Sequence, residues 1–167
     1  MMIFRYWFWV ISILSMTAIS SALIAEYIFY LEPCSMCLKQ RHPYYFIFVI
    51  FILFGVIRKF PRIWFYLGVL LASIYGLFYS IWHVGIEQNI LTGPTSCSGR
   101  LNTSNSVENL KEQIIGKAVI NCEDILWSIY GISAATINTF LLLLIFILNV
   151  IYIQKYYASK KNTASKN

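Results

Sequence analysis

The chain has 167 residues, 59% of them hydrophobic and 12% charged, with a formal net charge of +6. That is too apolar for a soluble domain of this length, and points to a single membrane domain using nearly the whole chain. The positive balance is no nucleic-acid signature. Basic residues stand at the ends of apolar runs, and no polar stretch interleaves them with aromatics, so the charge reads as topology-setting.

Four apolar runs are bracketed by charges. The first lies between Arg5 and Glu26. At ~1.5 Å rise per residue it is long enough to cross ~30 Å of hydrocarbon. It is too long for a signal-peptide core and shows no small-residue cleavage site before the first cysteines. Glu26 with Tyr27, Phe29 and Tyr30 reads as the interfacial end of a retained helix over about 6–27. The second run, Pro43 to Ile57, would reach only ~22 Å as a helix. Extended back to Cys37 it reaches ~31 Å, so a span over 37–57 is expected. Cys37 then sits near a helix start at the bilayer edge, with Pro43 as a tolerated kink in the first turns. The third span, about 63–86, carries Gly68, Ala72, Gly76 and Ser80 at every fourth position. On a helix these line one face and allow close approach of a neighbour. The fourth, about 125–153, has a softer small cluster at Gly131, Ser133, Ala134 and Ala135. Short links favour antiparallel neighbours. The expected fold is an all-α integral membrane protein, a four-transmembrane-helix antiparallel bundle.

Lys and Arg set its orientation. Arg5, the 58–62 link (Arg58, Lys59, Arg62) and the 155–167 tail (Lys155, Lys160, Lys161, Lys166) place eight basic and no acidic residues on one side. The other side has five basic and all seven acidic residues. The positive-inside rule puts both termini and the link in the cytoplasm, and segments 28–36 and 87–124 outside. The tail is expected to be disordered beyond the interface.

The long outer loop cannot span. Gly93-Pro94 marks a turn just before Cys97, and 101–106 is polar and expected to be loose. A short amphipathic helix is expected over Val107–Ile120, with Asn105 as N-cap and Val107, Leu110, Ile114 and Ile115 on one face. It would lie on the lipid surface or pack on the outer helix ends. Either way Cys122 is tethered near the membrane while the segment around Cys97 stays loose.

All four cysteines, Cys34, Cys37, Cys97 and Cys122, lie on the outer, oxidising side. A zinc site fits poorly, because only the first two have the Cys-x-x-Cys spacing. Structural disulfides are an alternative, but a Cys-x-x-Cys loop is so short that closing it removes little chain entropy. Redox chemistry is the third reading. A helix starting near Cys37 aims its positive dipole end at the motif and favours thiolate. Arg41, four residues on, shares that face and could stabilise a thiolate or a reduced quinone oxygen. It could equally be a snorkelling anchor, as could Lys39. His83, at the outer end of the third span, is either an interfacial residue or one that binds a quinone oxygen or relays a proton.

Pro33-Cys34-Ser35-Met36-Cys37-Leu38-Lys39-Gln40-Arg41 resembles the Pro-Cys-x-x-Cys-x-x-(Gln/Glu)-Arg signature of the DsbB family. Trp82-His83-Val84-Gly85-Ile86-Glu87 resembles the end of that family's third span. Gly93-Pro94 before Cys97, and Cys122-Glu-Asp followed by Trp127 and Gly131-Ile132-Ser133, fit as well. The likeness runs from about residue 3 to 150. It implies a bacterial inner-membrane thiol:quinone oxidoreductase with periplasmic cysteines. Such a protein reoxidises a DsbA-like periplasmic thiol oxidase and feeds ubiquinone or menaquinone in the membrane pool. By motif position, Cys97 would take the partner's attack and Cys122 would relay electrons to Cys34. Cys37 and Arg41 would sit beside the quinone, with His83 a further candidate there. The family also contains variants serving a dedicated partner. Rival readings are a non-enzymatic scaffold with structural disulfides and a vitamin-K-epoxide-reductase-like enzyme, whose spans and cysteine order should differ.

Overall fold

A computed structural model of the chain describes residues 6–56, 61–94, 97, 122, 123, 125 and 127–164. Its elements are α1 (Trp7–Tyr27), α2 (Ser35–Val56), α3 (Ile63–Glu87), a hairpin of β1 (Ser128–Ile129) and β2 (Ile132–Ser133), and α4 (Ala134–Ala164). Three of the four helices, α1, α3 and α4, are long and apolar enough to cross a membrane. At ~1.5 Å per residue the 22 residues of α2 are also long enough, at about 33 Å. Lys39, Gln40, Arg41 and His42 near its start dilute its apolar character.

The bundle is assembled around α3, which packs on both α2 and α4, while α1 packs on α2. Each helix presents a stripe at helical spacing. On α3 it runs Phe65, Val69, Ala72, Gly76, Ser80, His83, all buried. On α4 it runs Ala135, Leu142, Ile145 and Asn149, with the half-buried Asn138 in register. On α2 it runs Met36, Gln40, Tyr44, Ile47. Outward faces are apolar instead: Trp9, Ile13 and Met16 on α1, Leu71, Phe78 and Ile81 on α3, Phe140, Leu144 and Ile147 on α4. A surface this greasy is suited to lipid, where van der Waals packing and polar contacts between helices hold the bundle. The small stripe on α3 is such a packing face. A Cβ built on Gly76 would come within 2.9 Å of both Pro43 Cγ and Leu142 Cδ1.

The structure departs from the sequence expectation at both ends of the last helix. α4 begins at Ala134, not near 125, because 128–133 folds into the hairpin first. Tyr130 and Gly131 at its tip both have positive φ, 52° and 81°, as a tight two-residue turn requires. Ser133 then caps α4, its Oγ accepting from the Thr136 N–H at 3.2 Å and donating to Glu87 Oε2 at 2.5 Å. At the far end the expected disordered tail is helical through Ala164. Lys, Tyr and Ala extend a helix readily, and no Gly or Pro stops it. The helix expected over 107–120 and the stretch 101–106 lie outside the described residues.

Candidate functional site

The first cysteine of the motif is the N-cap of α2. The Cys34 carbonyl accepts from the Leu38 N–H at 3.2 Å, and its Sγ accepts from the Cys37 N–H, also at 3.2 Å. A side chain in this position normally satisfies an orphan amide of the first helical turn. Here the acceptor is the sulfur itself, at the positive end of the helix. Cys37 follows in the first turn, its Sγ 2.8 Å from that of Cys34, and both are free thiols. His83 reaches across from α3 and places Nε2 3.6 Å from Cys34 Sγ. The Cys34 thiol is held well below the ordinary thiol range. The larger cause is the hydrogen bond from Cys37; burial opposes it, and His83 adds to it. Below its pKa a thiol is protonated, so Cys34 stays thiolate as pH falls through neutrality. We expect thiolate absorbance from the reduced protein already at about pH 6, where an ordinary cysteine near 8.5 contributes almost none. A first thiolate step near 8.5 would refute this environment.

Cys97 and Cys122 form a disulfide with S–S 2.00 Å. It is docked on the motif rather than held loosely in solvent. Cys97 is 3% exposed and Cys122 1%, in one buried cluster with Cys34, Met36 and Ile86. Ser35 Oγ, between the two motif cysteines in sequence, lies 3.2 Å from Cys97 Sγ and 3.8 Å from Cys122 Sγ. The Gly93-Pro94 turn delivers Cys97 here, with the Cys97 N–H donating to the Pro94 carbonyl at 2.8 Å. Cys97 itself is therefore held, by an apolar patch at the start of α2 and the end of α3, while the rest of the segment expected to be loose lies outside the described residues.

On the other side of Cys37 is a cavity of about 190 Å³ between α1, α2 and the start of α4. It exists because small residues face one another there: Ala18, Ala22 and Ala25 on α1, Ala134 and Ala135 on α4. Its polar wall is one face of α2, where Cys37, Gln40, Arg41 and Tyr44 recur at helical spacing. Arg41 turns inward. It pairs with Glu26 at the end of α1, and its Nη2 lies 3.4 Å from the Ala22 carbonyl. Lys39 instead lies over the Tyr79 ring, 5.1 Å from its centroid. His83 stands against Cys34 and is not among the residues lining the cavity.

The family profile described as disulfide bond formation protein DsbB matches residues 4–152. The chain belongs to the DsbB family. With three helices able to span, it is a multi-pass membrane protein of that family, whose members are in general thiol:quinone oxidoreductases. It is also 29% identical over 146 residues to an uncharacterized protein of Rickettsia prowazekii (strain Madrid E), covering 85% of this chain and 84% of that one. No solved structure gives a significant match.

Within this DsbB-family chain, the structure brings five of the six sequence-selected residues around the start of α2. Arg41 joins them one turn further in. Cys34, Cys37 and His83 also place their ligand atoms within 4.8 Å of one another. Three such ligands could hold a thiophilic cation, but a closed structural zinc site needs a fourth. No motif in the sequence singles out Tyr44 or Asn138, and Ser35 and Gln40 stand there only as parts of the family signature. The available signal was polar side chains inside apolar runs, which in a membrane chain mark function or helix pairing.

Proposed function

We propose that this protein reoxidises a DsbA-like periplasmic dithiol oxidase. The two electrons pass through Cys97–Cys122 and then Cys34–Cys37 to ubiquinone or menaquinone. One observation carries the reading: the motif is two-sided. Cys34 faces the docked Cys97–Cys122 disulfide, and Cys37 lines an apolar cavity with Arg41 at its polar wall. The wall chemistry suits a quinone ring, apolar on most sides with a cation and amides at one end, and the volume suits a ring headgroup rather than its tail.

The exchange steps balance. A partner thiolate attacks Cys97 Sγ and expels Cys122 as thiolate. The partner's second thiolate resolves the mixed disulfide, leaves oxidised and frees Cys97. Cys122 attacks Cys34 of an oxidised motif and expels Cys37. Cys97 then attacks Cys122, re-forming their disulfide and leaving Cys34 and Cys37 as thiols. That is the pairing in this structure. A bound quinone supplies the two-electron, two-proton acceptor that returns this dithiol to a disulfide. Cys37 stands next to that acceptor's place, Arg41 orients it and offsets developing negative charge, and the alanine walls exclude water. His83, against the Cys34 sulfur, favours its thiolate. In this reading α2 is a fourth span with its polar turns at the outer boundary. The chain sits in the bacterial inner membrane with both termini cytoplasmic, as the distribution of basic residues supports.

The test is purified protein with ubiquinone or menaquinone and a reduced DsbA-like protein, following quinone absorbance and trapping mixed disulfides. Quinone reduction with a Cys97 adduct is expected. Absence of both would favour a scaffold with structural disulfides. Arg41→Lys keeps the charge but loses the planar fork shared between Glu26 and Ala22. Steady-state kinetics should show kcat/KM for quinone lowered about tenfold. An unchanged value would make Arg41 an interfacial anchor.

A further inference from the structure

A chain of hydrogen bonds crosses the bundle and ends on Cys34. Tyr44 Oη donates to Asn138 Oδ1 at 2.6 Å. Asn138 Nδ2 donates to Gln40 Oε1 at 3.2 Å and to Ser80 Oγ at 3.0 Å. Gln40 Nε2 lies 2.9 Å from His83 Nδ1, and His83 Nε2 lies 3.6 Å from Cys34 Sγ. Tyr44 and His83 are each 3% exposed and Gln40 is 7%, while Asn138 is half-buried and shares the cavity wall with Gln40 and Tyr44.

Each amide has one donating and one accepting end, so the polarity of the chain is set at its terminus. The Tyr44–Asn138 distance of 2.6 Å suits O–H···O and is short for N–H···O, so it identifies Asn138 Oδ1 as the atom facing the phenol. Among the described residues Tyr44 Oη has no other hydrogen-bond partner. Were it to accept from Asn138, its own proton would have no acceptor among the described residues. Asn138 must then turn Nδ2 to Gln40, and Gln40 must turn Nε2 to His83. Nδ1 of His83 can only accept. A neutral imidazole that accepts at Nδ1 carries its proton on Nε2, the atom facing Cys34.

We propose that Tyr44 and Asn138 are positioning residues for the redox thiol: acting through Gln40, they hold His83 in the Nε2–H tautomer, as a fixed donor to the Cys34 sulfur. This rests on the reading of Cys34 as a redox sulfur and gives it a control reaching from α4, 98 residues from Gln40 in sequence. It also makes His83 a donor and not a base. To take the Cys34 proton as a base, His83 would need a bare Nε2 and a protonated Nδ1, and the Gln40 amide donates to Nδ1. The ionisable groups facing Cys34 are Cys37 on its own helix and His83 on α3. The docked disulfide does not titrate, and the Arg41–Glu26 pair belongs to the cavity side of α2.

The test uses the full chain in detergent. The chain has two histidines, so 15N-histidine spectra with a His42→Gln control assign His83 and report which ring nitrogen bears the proton. Nε2–H is expected; Nδ1–H overturns the proposal. Thiolate absorbance against pH on the reduced protein gives the second readout. Asn138→Leu should move the lowest thiolate step up by about one pH unit, roughly a tenfold loss of thiolate at fixed low pH. Tyr44→Phe, the gentler change, should move it in the same direction and keeps the test open if Asn138→Leu does not fold. Asn149→Leu removes a second buried amide of α4, one bonded to the Tyr66 carbonyl and not to this chain, and should leave the step where it is. If the Asn138 and Tyr44 variants shift no more than Asn149→Leu, the proposal fails. Neither readout needs quinone or partner. An inactive protein with the expected shifts would sink the functional reading alone, and an active one without them would sink only this inference.

Discussion

Cys37→Ser is expected to reduce quinone turnover to the uncatalysed background while leaving the Cys97–Cys122 disulfide exchangeable with a reduced DsbA-like protein. Reduction of a quinone takes two electrons, and in the motif they come from conversion of two thiols to one disulfide. A hydroxyl at 37 cannot form that bond. Cys37 is also the motif sulfur on the cavity wall, so no other sulfur in the motif replaces it there. The Cys97–Cys122 bond itself is untouched by the change: its buried contacts with the motif are Ser35, Met36 and Cys34, and Cys37 packs only at the edge of that cluster, where serine is a near-isosteric replacement. Partner oxidation should therefore proceed for one stoichiometric round and stop. Quinone absorbance and a partner thiol count, measured on one sample, separate the two halves. Continued turnover in Cys37→Ser would refute the assigned electron path. A loss of both halves together would indicate that the variant had disturbed docking, which Cys37→Ala would then have to reproduce.

Docking adds a constraint on the first half. Thiolate attack requires approach to a disulfide sulfur, and Cys97 is 3% exposed against the start of α2. In the proposed exchange Cys97 therefore has to leave its contact with Met36 and Ile86 before a partner thiolate reaches it. The described position is suited to exchange between the two pairs and not to attack from outside.

How much of this was legible in the sequence varies with the range of the forces involved. The helices follow from charge bracketing and length, which are local: α1 and α3 fall within a residue or so of the expected spans. The need to lengthen the second run put Cys37 near a helix start, and α2 begins at Ser35. The start of α4 was not legible, because Tyr130 at positive φ is held by a hairpin that few local cues announce. The docking of Cys97 depends on Met36 and Ile86, whose meeting is tertiary. His83 is an instructive intermediate case. It continues the Gly76–Ser80 stripe at the next helical step, so the small-residue face already aimed it into the bundle. Its partner Gln40, and Asn138 bonded to Gln40 in turn, are amides within stretches read as signature or packing, and only their meeting from three helices gives them a role.

Gly76→Val is expected to destabilise the bundle by about 1–3 kcal/mol and lower Tm by roughly 3–10 °C, because it overpacks a closed interface. The first added carbon alone would come 2.9 Å from Pro43 Cγ on α2 and Leu142 Cδ1 on α4. Neither neighbour yields easily: Pro43 is a ring fixed to the α2 backbone, and Leu142 is fully buried. In a bilayer this matters more than in water, since close packing rather than escape from solvent holds such helices together. Gly55→Val is the matched control, with nothing within 4 Å of the position. Replacing a helical glycine there should be neutral or slightly stabilising. The two variants carry the same change of side chain, so their difference isolates the interface. The effect should also reach the site. Ser80 and His83 lie one and two turns beyond Gly76 on the same face. A displacement of α3 from α2 and α4 therefore draws His83 away from both Gln40 and Cys34. Gly76→Val should accordingly raise the lowest thiolate step as well as lower Tm, whereas Gly55→Val should change neither. Equal melting behaviour of the two variants would show that the α3 small-residue face is not the packing seam of the bundle.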